Sequence, residues 1–105
     1  MANSAKKLFR GAATTSVGTN LYTVPASTTT VITSIVVTNT ASSAGTFTIA
    51  IGTAGSETLL FDAVAIAADT TTVIDLKQTL VATEQIDGGA SAATINFHIS
   101  GMEIV

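Results

Sequence analysis

Residues 28–38 read Thr-Thr-Thr-Val-Ile-Thr-Ser-Ile-Val-Val-Thr, a stretch in which every residue but Ser34 is β-branched. Such side chains lose rotamer freedom in a helix and suit a pleated surface, so the segment is a strand. In strict alternation Val31, Ile35 and Val37 face one side, and Ile32 and Val36 the other. Apolar residues on both faces imply either a central strand or one covered by a neighbouring subunit.

The same reading extends outward. Upstream, Leu21 to Val24 form a short strand ending at Pro25, the only proline, which cannot donate to a ladder. Downstream, Asn39 to Gly45 are a loop by composition. Phe47, Ile49 and Ile51 then alternate with Thr46, Thr48 and Ala50, the period-2 signature of a half-buried strand. Gly52 to Ser56 turn the chain, Leu59 to Ile66 form the next strand, and Ala67-Ala68-Asp69 make a tight turn. Thr70 to Leu76 follow, with a shorter strand around Leu80 and a few strand residues at Gln85 to Asp87. Asp87-Gly88-Gly89 is expected to be a turn, because Asp-Gly favours the tight hairpin geometry. Ile95, Phe97 and Ile99 open a closing strand that runs to Val105, with Gly101 its candidate bulge. The fold expected is all-β: a single small β-sandwich or jelly roll of seven to eight antiparallel strands with a short N-terminal arm. Residues 1–15 would be the arm and residues 16–105 the sandwich. Thr-Thr-Thr-Val-Ile begins at Thr28 and again at Thr70, a faint repeat that would suit two similar halves forming facing sheets, though a threonine-rich chain also produces such matches by chance.

Composition narrows the function. The 105 residues are 47% apolar and 10% charged, too apolar for a disordered chain. No run approaches the roughly 18 apolar residues of a membrane span. The opening Met-Ala-Asn-Ser-Ala-Lys-Lys-Leu-Phe-Arg lacks the apolar stretch of a secretory signal. Lys6, Lys7 and Arg10 are three of the four basic residues, whereas from Gly11 onward Lys77 alone stands against seven acids. A nucleic-acid binder would show the reverse, a basic stripe on the body with aromatics for stacking. The basic segment is either a solvated terminus or an arm that docks on an acidic partner surface.

Nothing in the chain spells out chemistry. There is no cysteine, and His98 is the only histidine, so a zinc site would need carboxylates for every other ligand. No Gly-x-Ser-x-Gly elbow and no Asp-x-Asp-x-Asp-Gly calcium loop occurs. Glycine-rich phosphate cradles need a strand–glycine–helix context that is absent. No enzyme activity, cofactor or metal is expected. A sugar-binding sandwich presents aromatic platforms, and here only Tyr22 is a candidate. A body poor in charge and rich in Thr, Ser and Ala is an uncomfortable monomer, which points to a homo-oligomer, a trimer being a common form for small β-domains on particles.

The run Leu-Tyr-Thr-Val-Pro-Ala-Ser-Thr-Thr-Thr-Val-Ile-Thr-Ser-Ile-Val-Val-Thr-Asn-Thr, Leu21 to Thr40, resembles small virion-associated proteins of tailed bacteriophages. Tyr22 to Ala26 match the lead segment of those proteins and Val31 to Asn39 the strand after it. Ala67 to Leu80 and the ending Ile95 to Ile104 are similar to later parts of the same family. The resemblance implies a virion structural role: head decoration (cement), or a tail, neck or fibre-tip component. For a decoration protein it implies a capsid-surface location, assembly in the host cytoplasm, and the major capsid protein as partner, with neither nucleic acid nor membrane. Lys6, Lys7, Leu8, Phe9 and Arg10 would then be the clamp on the shell, and removing residues 1–10 would abolish shell binding while leaving the fold intact.

Overall fold

The computed structural model describes residues 3–105, and the regular structure there is entirely β. Eight strands follow in order: β1 (Asn3–Ala12), β2 (Asn20–Thr23), β3 (Thr29–Asn39), β4 (Gly45–Gly52), β5 (Thr58–Ile66), β6 (Thr70–Leu80), β7 (Gln85–Ala90) and β8 (Ile95–Ile104). They make two four-stranded antiparallel sheets, ordered β1-β8-β3-β6 and β2-β7-β4-β5. This interleaving of early and late strands is the jelly roll. Each sheet draws two strands from each half of the chain. The two copies of Thr-Thr-Thr-Val-Ile therefore do not mark two halves facing each other; they open β3 and β6, which are neighbours in one sheet.

The core lies between the sheets. Ile32, Ile35, Val37, Ile95, Phe97 and Ile99 come from the first sheet, and Phe47, Ile49 and Ile86 from the second. Each such side chain contributes roughly 1.5–3 kcal/mol through burial. Phe47 meets Phe97 edge-on across the sandwich, ring centroids 6.2 Å apart at 71°. β3 is central, as its sequence implied, but its faces are not those of strict alternation. Thr33 is an extra residue relative to β8, for Ile32 lies opposite Gly101 and Ser34 opposite Ser100. That bulge shifts the phase, so Ile32 and Ile35 both point inward while Val31 and Val36 lie on the outer face.

Three further expectations change for related reasons. Gly101 is not itself a bulge; the extra residues are Thr33 in β3 and Leu8 in β1, both beside it. A Cβ on Gly101 would strike the Val31 carbonyl and come within 2.8 Å of Leu8 Cδ1. Asp87-Gly88-Gly89 is not a turn but the middle of β7. Its glycines admit close backbone: a Cβ on Gly88 would lie 2.9 Å from the Thr48 carbonyl, and one on Gly89 would overlap the Ser16 carbonyl. The loop after β1 lies over this strand, with Gly88 N–H donating to Thr19 O and Ala90 N–H to Thr14 O, each at 2.9 Å. Lastly, Thr70 to Leu80 form one strand, its kink absorbed where Leu76 and Lys77 oppose the single residue Thr33.

The expected arm is mostly strand. Met1 and Ala2 lie outside the described residues, but Asn3–Ala12 pair along β8, and Leu8 and Ala13 are buried in the core. Asn39, also buried, fastens the loop end of the sandwich. Its Nδ2 donates to Ser43 O at 2.9 Å and Ala67 O at 3.3 Å, and its Oδ1 accepts from Ala41 N–H at 3.0 Å. Every buried side-chain polar atom among the described residues has a partner.

Candidate functional site

β1 is an edge strand with a bulge at Leu8, and this divides the five residues expected to act as a clamp. Leu8, 7% exposed, points into the core, and Phe9 is partly buried against it. Their apolar surface is already engaged within the fold. Lys6 Nζ lies 3.3 Å from both carboxylate oxygens of Glu103. Lys7 and Arg10 remain exposed.

Register gives these two cations a definite setting. Lys7 lies opposite Ser100, Ser100 opposite Ser34, and Ser34 opposite Asp75, one row across the outer face of the first sheet. The next row runs Arg10, His98, Val36 and Val73. Residues directly opposite share a face. That face therefore begins with cations at the β1 edge and ends with a carboxylate and an exposed valine at the β6 edge. His98 is half-buried in this row, and among the described residues no group of three His, Asp or Glu gathers around it.

The other side of the sandwich, where β5 and β6 are the two edges, differs in character. Asp62, Asp69 and Asp75 are exposed there, and Glu57 and Glu84 flank the same strands. Leu59 and Val73 are 57% and 64% exposed, and Val64 and Val81 are exposed too. A groove of about 300 Å³ opens between the sheet edges, lined by Ile51, Leu59, Leu60, Leu80 and Glu84 among others. A second hollow, about 430 Å³, lies at the β6 kink beside Asp75, Thr33, Leu76 and Lys77. The remaining two carboxylates are engaged elsewhere. Asp87 is buried on β7, where Asn20 Nδ2 donates to it at 3.5 Å; burial, then a hydrogen bond with Glu57, pushes its carboxyl up to about 6. Glu103 accepts a 2.5 Å hydrogen bond from the Tyr22 hydroxyl, which holds its carboxyl below the usual range.

Among the described residues no three of His, Cys, Asp and Glu gather into a metal-sized cluster. Tyr22, the one candidate sugar platform, is buried with its hydroxyl engaged, so it offers no stacking surface. Sequence reasoning counted the seven acids but did not locate five of them on one side. The signal was present in the spacing, since Glu57, Asp62, Asp69, Asp75 and Glu84 all fall on β5, β6 and the segments that flank them.

No protein-family model matches the sequence, and no curated protein matches it. Solved structures do resemble it. A chain of infectious bursal disease virus, Gx strain, superposes with a TM-score of 0.56 at 9% identity, over 97% of this chain and 31% of that one. A pentameric capsid protein from metagenomic phage sequences gives 0.45 at 14% identity, over 94% and 58%. Tobacco streak virus coat protein gives 0.46 at 12% identity, over 97% and 83%. The chain thus spans about a third of the length of the bursal disease virus chain, and that likeness shows a shared fold.

Proposed function

We propose that this chain is a virion structural protein, acting as a decoration (cement) protein bound to the outer shell where major capsid subunits meet. The carrying observation is the separation of its surface into a cationic β1 side and an acidic, apolar β5–β6 side, on a jelly roll whose fold is shared with a viral protein. Such a body has little charge to keep it dispersed and two unlike edges to be covered. Bound across a joint between capsomers, it would add buried interface on both sides and so resist pressure from within the shell. Lys7 and Arg10, with Lys6 behind them, would dock on an acidic surface in that assembly.

Copy number per particle tests this reading. Virions are purified and the chain is quantified against the major capsid protein by mass spectrometry with labelled standards. Many copies in a simple ratio to the shell protein are expected. A handful per particle would move the protein to the tail, neck or fibre tip, and absence from the particle would overturn the structural role.

A further inference from the structure

The acidic surface that the β1 side needs is present on the chain itself. We propose that the protein self-associates head to tail, the β1 side of one copy docking on the β5–β6 side of the next. This rests on the docking role proposed for Lys7 and Arg10 and names their partner as a second copy.

Charge decides the arrangement. Three of the four cations lie on β1, and every carboxylate not buried or paired with a cation lies between Glu57 and Glu84, on β5, β6 and their flanks. A twofold contact through β1 would bring Lys7 and Arg10 against themselves. One through β5–β6 would oppose Asp62, Asp69 and Asp75 to their own copies, with Lys77 the one cation on that side against five carboxylates. Only the heterologous contact pairs opposite signs, and such contacts close into rings when the rotation allows. The row from Lys7 through Ser100 and Ser34 to Asp75 crosses a single face. A neighbour beside β6 therefore brings its own Lys7 toward Asp75, where the hollow at the kink lies open. Leu59, Val64 and Val73 supply exposed apolar surface on the same strands, Leu59 and Val73 being more than half exposed. Bulges in β1 and β5 interrupt both edges, which favours contact through side chains over an unending backbone ladder.

The test is a charge swap on the whole chain in solution, followed by light scattering and native mass spectrometry. The unaltered protein is expected to form an oligomer of more than two copies that weakens as salt is raised. K7E/R10E and D62K/D75K, each alone, should weaken association by roughly tenfold or more. The quadruple variant, with both sides reversed, should associate again, because the pairing is restored with exchanged signs. Circular dichroism and thermal unfolding confirm that each variant is folded. A wild-type protein still monomeric at roughly 1 mM overturns the proposal, since such a contact would be weaker than about 4 kcal/mol. So does a twofold dimer indifferent to the reversals, or a folded quadruple variant that stays monomeric. None of these outcomes bears on the copy number in virions, which judges the decoration role separately.

Discussion

The Tyr22 hydroxyl donates to Glu103 Oε2 at 2.5 Å and shares a 2.8 Å hydrogen bond with Thr30 Oγ1. Tyr22 stands on β2 of one sheet, whereas Glu103 and Thr30 stand on β8 and β3 of the other. Lys6 of β1 completes the group through its ion pair with Glu103. The phenol thus joins β2 directly to β3 and β8, and to β1 through Glu103 and Lys6. Burial, then the bond to Glu103, pushes the phenol up to about 12.

Tyr22→Phe should lower stability by about 1–3 kcal/mol, because Thr30 Oγ1, fully buried, loses a partner it cannot replace with water. The pH profile should change as well. Glu103, held below its ordinary value by the Tyr22 hydrogen bond, contributes stability above the unfolded carboxyl range and loses it as pH falls through the folded value. Tyr22 works in the other direction: its contribution is whole below about pH 10 and fades as pH climbs toward 12. Urea unfolding at several pH values should find both dependences reduced in the variant. An unchanged midpoint would show that the bond contributes nothing.

Asp87 should contribute less to stability at neutral pH than in mild acid, whereas Glu57, held below its ordinary value chiefly by its hydrogen bond with Asp87, contributes in the opposite sense. The folded Asp87 carboxyl titrates at about 6, above the unfolded value of 3.8, so the folded state holds the proton more tightly. Its contribution then falls as pH rises between those values. Asp87→Asn keeps the shape, can still accept from Asn20 and can donate to Glu57. It should flatten the profile between pH 4 and pH 6 and raise stability at pH 7 by about 1–2 kcal/mol. Melting curves of both proteins across that range decide the matter, and a parallel pair of profiles would count against it.

Gly101→Ala should be costly although the site is an ordinary strand position. The new Cβ meets the Val31 carbonyl and Leu8 Cδ1, and paired backbone on both sides cannot retreat. Overpacking of this kind costs about 1–3 kcal/mol. Gly18, with open space where its Cβ would stand, provides the control. Gly18→Ala should lie within about 0.5 kcal/mol of the parent protein. Equal effects at the two glycines would refute the packing argument.

The contrast between Gly101 and its neighbours shows what the sequence could disclose. Alternation of Phe47, Ile49 and Ile51, and of Ile95, Phe97 and Ile99, marked two strands and their inner faces, because periodicity is a local property. The phase of β3 was hidden, since Thr33 is as good a strand residue as its neighbours and only pairing with β8 makes it supernumerary. Asp87-Gly88-Gly89 carried turn chemistry, yet its glycines are there to let the Ser16 and Thr48 carbonyls approach. That need is set by segments far away in sequence. The docking surfaces divided in the same way. The cations of β1 were legible as a cluster within ten residues, whereas the acidic side is assembled from β5, β6 and the ends of their loops.

The segment Lys7–Leu8 makes the last expectation, for adjacent residues there do unlike things. Leu8→Ala removes a core side chain at a bulge where collapse is limited by Gly101, and should cost about 2–5 kcal/mol. Lys7→Ala and Arg10→Ala remove exposed charges and should change stability by less than about 0.5 kcal/mol. Removing residues 1–10 altogether would strip β1 from β8 and uncover the core beside Ile99 and Phe97. A truncated chain is therefore expected to unfold or aggregate instead of surviving as an armless sandwich, and any docking defect it showed would be uninformative. Point variants avoid that confusion: Leu8→Ala should fail in thermal unfolding, and Lys7→Ala with Arg10→Ala should fail only in association. If instead the truncation melts like the full chain, β1 is dispensable to the fold and the burial of Leu8 contributes little.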